Sequence, residues 1–283
     1  MKHMSKTLLR WILPVLLLMM ISITSLADEK AGKPSTVPEI RPGIPAGYLH
    51  PRSRPDKLSL AYPPPAEGSA AQAMDEEINK KALKLRGTPR WDLATEDANL
   101  HFPEAAGTFS CALNAPITEN DTPRLYMLLR RVMVDAGYAT YRSKMKFKRP
   151  RPFLVNNEPI CTPEAKEGLR NNGSYPSGHT AIGWTWALIL CEISPEQSID
   201  ILKRGRAFGE SRMVCNVHWQ TDVIEGRFMG AAIVACLHAD PTFQTDLEAA
   251  KAELAAVRAK GLKQPTRDCE AETKALSQPL ADY

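Results

Sequence analysis

The pattern of apolar and polar positions predicts one helix after another along most of the chain. Three helix starts are marked by a capping residue and a first-turn proline, at Asp121-Thr122-Pro123, Ser194-Pro195-Glu196 and Asp240-Pro241. No alternating strand pattern of convincing length and no internal repeat accompanies them. We therefore predict an all-α fold, a single helical domain with its functional site at helix ends and loops. Its helices are expected over 75–86, 124–147, 199–212, 219–238 and 243–260.

The first 27 residues are predicted to be a secretory signal peptide. A basic lead precedes the apolar run WILPVLLLMMISI, and Ser25-Leu26-Ala27 places small residues at the two positions that a signal peptidase reads. A membrane anchor is the alternative, but a bilayer span takes about 20 apolar residues, and this run is shorter. We expect cleavage after Ala27, no membrane attachment afterwards, and a periplasmic location.

Composition and charge divide the remaining chain and exclude some partners. Residues 28–65 hold nine of the 23 prolines and predict an extended lead segment before a domain over 66–262 and a polar tail over 263–283. The net charge of +4 falls to +1 without the signal, because 33 basic residues then face 32 acidic ones. This near-neutral balance gives no support for a nucleic-acid or membrane-surface partner.

The basic run KMKFKRPRP over 144–152 is the first of three clusters that could carry chemistry. Most charge runs are solvated helix ends, and that interpretation applies here too. The two prolines, however, stop the helix and stiffen the chain around Arg151. A planar guanidinium in a fixed place suits bidentate binding of a phosphate, with Lys144 as a second cation.

The second cluster is Pro176-Ser177-Gly178-His179, directly before a long apolar run. The free N–H groups of a helix N-terminus bind anions, and the glycine permits close approach to the backbone. An ordinary serine cap would explain the first three residues. A cap does not need an imidazole beside it, so His179 favours a functional interpretation.

The third cluster runs from Ser211 to Asp222 and contains Arg212 and His218. His218 and Asp222 are four residues apart and would share one face of a helix. A carboxylate there fixes the imidazole tautomer and leaves the other nitrogen as a base or nucleophile. The alternative is a helix-surface pair of no consequence.

Together the three clusters fit a phosphoryl group with a nucleophile on one side and a proton donor on the other. The pattern K-x6-R-P, then P-S-G-H, then S-R-x5-H-x3-D resembles the phosphatidic-acid phosphatase type 2 superfamily, which also contains the vanadium haloperoxidases. GSYPSGHT in a signal-bearing chain of this length is similar to the bacterial class A non-specific acid phosphatases in particular. The resemblance covers roughly residues 91–258 and fills every motif position.

This resemblance implies a secreted acid phosphatase that hydrolyses phosphate monoesters, such as nucleoside monophosphates, through a phosphohistidine; it leaves phosphotransferase activity open. His218 would be the nucleophile, oriented by Asp222, and His179 would protonate the leaving alcohol. The phosphate would be bound by three cations and the helix start: Lys144, Arg151, Arg212, Ser177 and Gly178. No metal or other cofactor is implied, because cations and a helix end take that part.

Other functions would use the same residues. A vanadium-dependent haloperoxidase would hold vanadate in this pocket, and the secretion signal and short chain disfavour it. A membrane lipid phosphatase would need several spanning helices, which the sequence lacks. A non-catalytic phosphate-binding protein would have no use for the His218–Asp222 pair, although the sequence alone leaves it open.

The six cysteines follow the signal, and an exported chain can form disulfides. Cys161 lies between Arg151 and Ser177, and Cys215 between Arg212 and His218. Since these flanks should converge on one phosphate, we predict a Cys161–Cys215 disulfide and, as a weaker second pair, Cys191 with Cys236. No cysteine or histidine cluster has zinc spacing.

The substrate and the partners are less defined. Residues 100–116 are loop-like and carry aromatics, so they form either a lid or wall of the pocket or a surface crossover. Related enzymes are homo-oligomers, which implies the same here.

Overall fold

The computed structural model describes residues 37–50, 60–261, 264–278 and 280. The predicted signal peptide lies outside these residues. So do two parts of the proline-rich lead, residues 28–36 and 51–59, and the C-terminal residues 262–263, 279 and 281–283.

Helices dominate the described residues, which confirms the all-α prediction. They are α1 Ala70–Leu83, α2 Pro89–Glu96, α3 Ser110–Leu113, α4 Pro123–Phe147, α5 Pro152–Asn156, α6 Lys166–Arg170, α7 Gly178–Ile193, α8 Ser198–Val214, α9 Gln220–Leu237, α10 Pro241–Ala259 and α11 Cys269–Leu276. Short 3-10 turns cover Glu104–Phe109, Pro163–Ala165 and Pro195–Gln197. The small antiparallel pair β1 Glu39–Arg41 and β2 Ile44–Pro45 was not predicted.

The proline-marked helix starts lie where the sequence places them. Thr122 precedes α4, whose first residue is Pro123. The Asp240 carboxylate accepts the Phe243 N–H at 2.8 Å and caps α10. Near Ser194 the chain first forms the 3-10 turn and only then enters α8. A first-turn proline thus marks all three starts, and a side-chain cap is present at the α10 start.

Helix α7 lies at the centre of the core and packs against α4, α8 and α9. Its Trp186 is buried, and the indole N–H donates to Leu129 O of α4 at 2.9 Å. Two glycines let α9 cross α7 closely: an added Cβ would lie 2.6 Å from Ser177 O at Gly226 and 2.7 Å from Ala181 O at Gly230. This close crossing brings the N-terminal ends of the two helices together.

Two residues in the middle of the lead segment, Tyr48 and Leu49, are part of the core. The backbone N–H of Tyr48 donates to the buried Asp135 carboxylate of α4 at 2.7 Å, and the Tyr48 hydroxyl donates to Asp246 of α10 at 2.7 Å. Leu49 beside it is buried as well. The part of the lead around Tyr48 and Leu49 is thus anchored to two helices of the domain.

Two disulfides join distant parts of the chain. Cys161 pairs with Cys215, the first pair that the sequence indicates, with Cα atoms 4.9 Å apart. Cys111 at the start of α3 pairs with Cys269 at the start of α11, and nothing in the sequence pointed to this pair. Helix α11 lies within the predicted polar tail and packs against α2.

The second predicted cysteine pair is wrong. Cys191 and Cys236 are free thiols. The Cys191 Sγ lies 3.6 Å from Ser198 O, so it contacts the backbone at the start of α8 instead of a second sulfur. Within the described ranges, no helix has the length and apolar character that crossing a membrane requires.

Candidate active site

The residues that the sequence singled out lie at the ends of five helices that meet in one cluster. Lys144 is in the last turn of α4, Arg151 directly precedes α5, and Arg212 is in the last turn of α8. The α7 and α9 starts also meet here, because the Ser177 N–H donates to Asp222 O at 2.9 Å. The connection couples the helix end that could bind an anion to the helix that carries the acid partner of His218.

His218 is held at both ring nitrogens. Nδ1 lies 3.1 Å from the Asp222 carboxylate, and Nε2 lies 3.1 Å from the Arg151 guanidinium. A guanidinium can only donate, so Nε2 accepts, and Nδ1 therefore carries the proton that is donated to Asp222. The arrangement leaves a neutral imidazole with its Nε2 lone pair directed at a cation.

The pairing of His218 with Asp222 has a different local origin from the predicted one. His218 precedes α9, so the two residues do not share a helix face. Asp222 is instead the third residue of α9, and its carboxylate accepts the Trp219 N–H at 2.9 Å as well as the His218 proton. A helix-capping carboxylate thus also fixes the imidazole tautomer.

A buried layer behind Asp222 was missed by the sequence analysis. Arg149 donates to the Asp222 carboxylate at 2.7 Å and to Asp75 of α1 at 2.7 Å. Asp75 in turn accepts from the backbone N–H and hydroxyl of Thr221 at 2.9 and 2.6 Å. Arg149 lies within the predicted basic run, but Asp75 is 147 residues from Asp222 and gave no local signal.

Arg151 is fixed by backbone carbonyls. Its Nε donates to Leu169 O and Asn172 O at 3.0 Å each, and its Nη1 donates to Val217 O at 2.8 Å. The side chain is almost fully buried. The guanidinium is therefore oriented without a carboxylate partner, which leaves its positive charge available for an anion.

Within the described ranges, Lys144 has two hydrogen-bond acceptors for its three ammonium protons. Its ammonium donates to Gly173 O at 2.9 Å and to Ser174 O at 3.0 Å. An ammonium has three donors, so one remains for a further acceptor. Both carbonyls belong to the turn that leads into α7, and they tie the lysine to the second cluster.

Arg212 is the clearest indication of a missing partner. The side chain is buried, yet its Nε and Nη1 have no hydrogen-bond partner among the described residues. Leaving a buried donor unsatisfied costs about 1–3 kcal/mol, and more for a charged group. A guanidinium in this state is prepared for an anion that satisfies both donors.

The start of α7 offers further donors. The Ser177 oxygen accepts from the Thr180 N–H at 3.3 Å and from the Thr180 hydroxyl at 2.8 Å. Its own hydroxyl proton is therefore free to donate to a ligand. Gly178 lies close to α4, since an added Cβ would be 3.1 Å from the Thr140 hydroxyl oxygen. The glycine thus permits the close approach of the α7 start to α4.

His179 lies one residue further along α7 and is partly exposed. Its Nε2 is 3.0 Å from Ala98 O, a carbonyl in the loop after α2. Its predicted role gave no reason to expect this partner. Residues 100–116, which the sequence leaves as either a lid or wall of the pocket or a surface crossover, pack partly into the core through buried side chains such as Phe109 and Leu113.

Burial and mutual repulsion shift the ionisation of the whole cluster. Burial and the charge of Arg151 lower the pKa of His218 well below its usual value. Burial and the charge of Arg212 do the same to His179. The pKa of Arg212 falls to about 9 and that of Arg151 to about 10, mainly through burial.

The two remaining groups are shifted by the same causes. The Lys144 pKa is also lowered, by burial first and by Arg151 second. Burial raises the pKa of Asp222, and the Arg149 charge opposes that shift. The site is thus a pocket of excess positive charge around two neutral imidazoles, which suits a tetrahedral oxyanion.

Comparisons with known proteins agree with this geometry. A family model described as the PAP2 superfamily matches residues 125–246. An acid phosphatase of Zymomonas mobilis is 41% identical over 203 residues, which cover 72% of this chain and 77% of that protein. A non-specific acid phosphatase of Providencia stuartii is 43% identical over 212 residues (75% and 86%), and one of Salmonella typhimurium is 42% identical over 193 residues (68% and 77%). This chain therefore belongs to the PAP2 superfamily.

Proposed function

We propose that the protein is an acid phosphatase that hydrolyses small phosphate monoesters, such as nucleoside monophosphates, through a phosphohistidine at His218. The observation that carries this proposal is the buried Arg212 guanidinium with two unsatisfied donors, in electrostatic contact with a neutral, oriented histidine. An anion that binds there lies beside a nucleophile. The relatives named as acid phosphatases support the same reaction class.

Substrate binding uses the donors that the fold leaves free. The phosphate oxygens would accept hydrogen bonds from Nε and Nη1 of Arg212, from the third ammonium proton of Lys144 and from the Ser177 hydroxyl. Arg151 and the Gly178 N–H complete the set. Because these donors are already oriented, little rearrangement is needed as charge moves onto the phosphoryl oxygens.

In the first step, the Nε2 lone pair of His218 attacks phosphorus. The bond from phosphorus to the ester oxygen breaks, and that oxygen takes its electron pair and a proton from His179. Asp222 accepts the Nδ1 proton in a hydrogen bond and stabilises the positive charge that develops on the ring.

In the second step, water attacks phosphorus and gives a proton to His179. The bond between phosphorus and Nε2 breaks, and its electron pair returns to the ring, so inorganic phosphate and the original enzyme are restored. Two displacements in line give retention at phosphorus. We propose that charge stabilisation rests on the three cations and the helix start, without a metal ion.

The export prediction belongs to the same proposal. A protein that is cleaved after Ala27 and released to the periplasm would meet small phosphate esters outside the cytoplasm. The Cys161–Cys215 and Cys111–Cys269 disulfides are compatible with an oxidising compartment.

The test is rapid acid or base quench of the full chain with labelled substrate in the presence of a chelator. We expect phosphate release without added metal and a labelled adduct at His218 that survives base and is lost in acid. His218→Ala should abolish both, while an exposed histidine variant, His238→Ala, should not. Inversion at phosphorus, or full turnover without a His218 adduct, would contradict the proposal.

A further inference from the structure

The proton-donating histidine is oriented from outside the phosphate cluster. A carbonyl can only accept, so the 3.0 Å contact between His179 Nε2 and Ala98 O requires the proton on Nε2. The neutral ring therefore has its lone pair on Nδ1, and Nδ1 is the nitrogen left to exchange a proton with the leaving group. The position of the Ala98 carbonyl thus sets the orientation of the His179 ring and the direction in which Nδ1 points.

Ala98 follows directly on a buried anchor. The Asp97 side chain is fully buried, and both its oxygens bind the guanidinium of Arg204. One oxygen also accepts the Ser211 hydroxyl at 2.6 Å. The backbone around residue 98 is therefore fixed by an ion pair that none of the catalytic steps uses.

The C-terminal segment completes that ion pair. Glu272 of α11 accepts from Arg204 Nε at 3.1 Å and is buried. Arg267, at the start of the same segment, lies 3.7 Å from Glu272 and 3.8 Å from Asp97. Two carboxylates and two guanidiniums thus form one largely buried cluster: Asp97, Arg204, Arg267 and Glu272. The exposed Glu96 lies at its edge, 3.1 Å from Arg267.

A covalent bond ties the segment to the domain. The Cys111–Cys269 disulfide joins the first residue of α11 to α3, which follows the loop that contains Ala98. Loss of the Glu272 charge would leave Arg204 with Asp97 as its carboxylate among the described residues. Asp97 would then shift towards Arg204, and the carbonyl next to it would move with it. Loss of the disulfide would release the start of α11 and weaken the contact between Glu272 and Arg204.

We propose that residues 264–278 form a positioning element for His179, which acts through Glu272, Arg204 and Asp97 on the Ala98 carbonyl. The inference rests on the proposed phosphatase function. It makes the acid half of the reaction depend on a C-terminal segment that touches neither phosphate nor leaving group.

The experiment compares Glu272→Gln with Glu270→Gln, an exposed glutamate on the same helix, in the full chain. The readout is the ratio of kcat for a nucleoside monophosphate to kcat for p-nitrophenyl phosphate. Only the first needs a proton on its leaving oxygen. Since general acid catalysis contributes about 10²–10⁴-fold, we expect a partial loss of about tenfold in this ratio for Glu272→Gln and no change for Glu270→Gln.

Three further variants separate positioning from a general loss of structure. Glu272→Asp keeps the charge and should restore most of the ratio. Cys111→Ser with Cys269→Ser should lower the ratio, whereas Cys191→Ser with Cys236→Ser, which removes two free thiols, should not. Thermal unfolding of each variant confirms that the folded enzyme is being measured.

The outcomes distinguish this inference from the proposed function. If the wild-type chain releases no phosphate, the proposed function fails. Suppose that the wild type is active and that Glu272→Gln lowers kcat for both substrates by the same factor, or leaves the kcat ratio unchanged and raises the inhibition constant of inorganic phosphate. The effect then passes through Ser211 to Arg212. Either result overturns the positioning of His179 and leaves the phosphatase intact.

Discussion

At the scale of single residues, the site combines a histidine whose two ring nitrogens both have partners, His218, with an arginine that has unpaired buried donors among the described residues, Arg212. His218 has a partner at each ring nitrogen, and its acid partner Asp222 is itself paired with Arg149. Arg212 has two buried donors without a partner in the described part of the chain. In the proposed reaction, the first arrangement orients the nucleophile, and the second binds the phosphate that it attacks.

Replacement of His179 should separate substrates by their leaving groups. An alkyl or ribose alcohol leaves poorly as an alkoxide, whereas p-nitrophenolate is a stable anion. His179→Ala should therefore reduce hydrolysis of nucleoside monophosphates by about 10²-fold or more and that of p-nitrophenyl phosphate far less, when chemistry limits both rates. His218→Ala is the control and should abolish both alike. Equal losses for the two substrates would assign His179 to phosphate binding or structure.

The pH dependence should differ between the free and the substrate-bound enzyme. In the free enzyme, burial and neighbouring cations lower the pKa of both His218 and His179. A bound phosphate dianion neutralises those cations and favours the protonated rings, so it raises both pKa values. One imidazole must be neutral and the other protonated, which gives a bell-shaped profile on the acid side of neutrality.

Profiles of kcat/KM and kcat for an alkyl phosphate measure this difference directly. The first reports the free enzyme and the second the complex, so both limbs of the kcat profile should lie at higher pH. If the limbs of the kcat and kcat/KM profiles lie at the same pH, bound phosphate does not change the pKa values of the two histidines. A flat profile across the range would rule out this pair of roles.

At the scale of helices, the site depends on how closely α9 crosses α7. The α9 start carries Asp222 and the α7 start carries Ser177, and a backbone hydrogen bond joins them. Gly226 makes that approach possible, because any side chain there would press on Ser177 O. The closeness of this crossing therefore sets how far Ser177 at the α7 start lies from Asp222, the partner of His218.

Substitution of Gly226 by alanine should impair both stability and activity. The added Cβ would lie 2.6 Å from Ser177 O and 2.9 Å from Thr180 Cβ, so α9 must move away. Overpacking of this kind costs about 1–3 kcal/mol, which urea unfolding measures, and kcat/KM should fall as well.

Gly137→Ala is the matched control for this crossing. It lies in α4, where its Cβ would meet Ile182 at an ordinary 3.7 Å. Alanine is favoured over glycine inside a helix by up to about 1 kcal/mol, so this variant should be at least as stable as the wild type. A Gly226→Ala protein as stable and active as Gly137→Ala would contradict the role of the crossing.

At the scale of the whole molecule, the described residues from Pro38 onward form one compact unit. The proline-rich lead enters it through Tyr48, and the C-terminal segment returns to it through the Cys111–Cys269 disulfide. Both ends thus attach to the helices around the site. Assembly into a homo-oligomer stays a prediction.

Much of the site could be predicted because its members lie in short motifs with fixed local geometry. The prolines at 150 and 152 fix the chain on both sides of Arg151, and the Pro-Ser-Gly-His turn places Ser177 at a helix start. The spacing of His218 and Asp222 indicated the right pair for the wrong reason, since a helix cap joins them. A spacing of four residues fits two residues on one helix face and also a residue before a helix paired with one in its first turn. The sequence alone does not distinguish these two geometries.

The sequence by itself determined the helical fold, the proline-marked helix starts and the residues that converge at the proposed phosphate site. These features follow from capping, periodicity and chain stiffness within a few residues. The tertiary structure decided which groups lie behind the site: Asp75 behind Arg149, Glu272 behind Arg204, and Cys269 on Cys111, 158 residues away. Partners so distant in sequence are chosen by the packing of whole helices, and no local pattern encodes that choice.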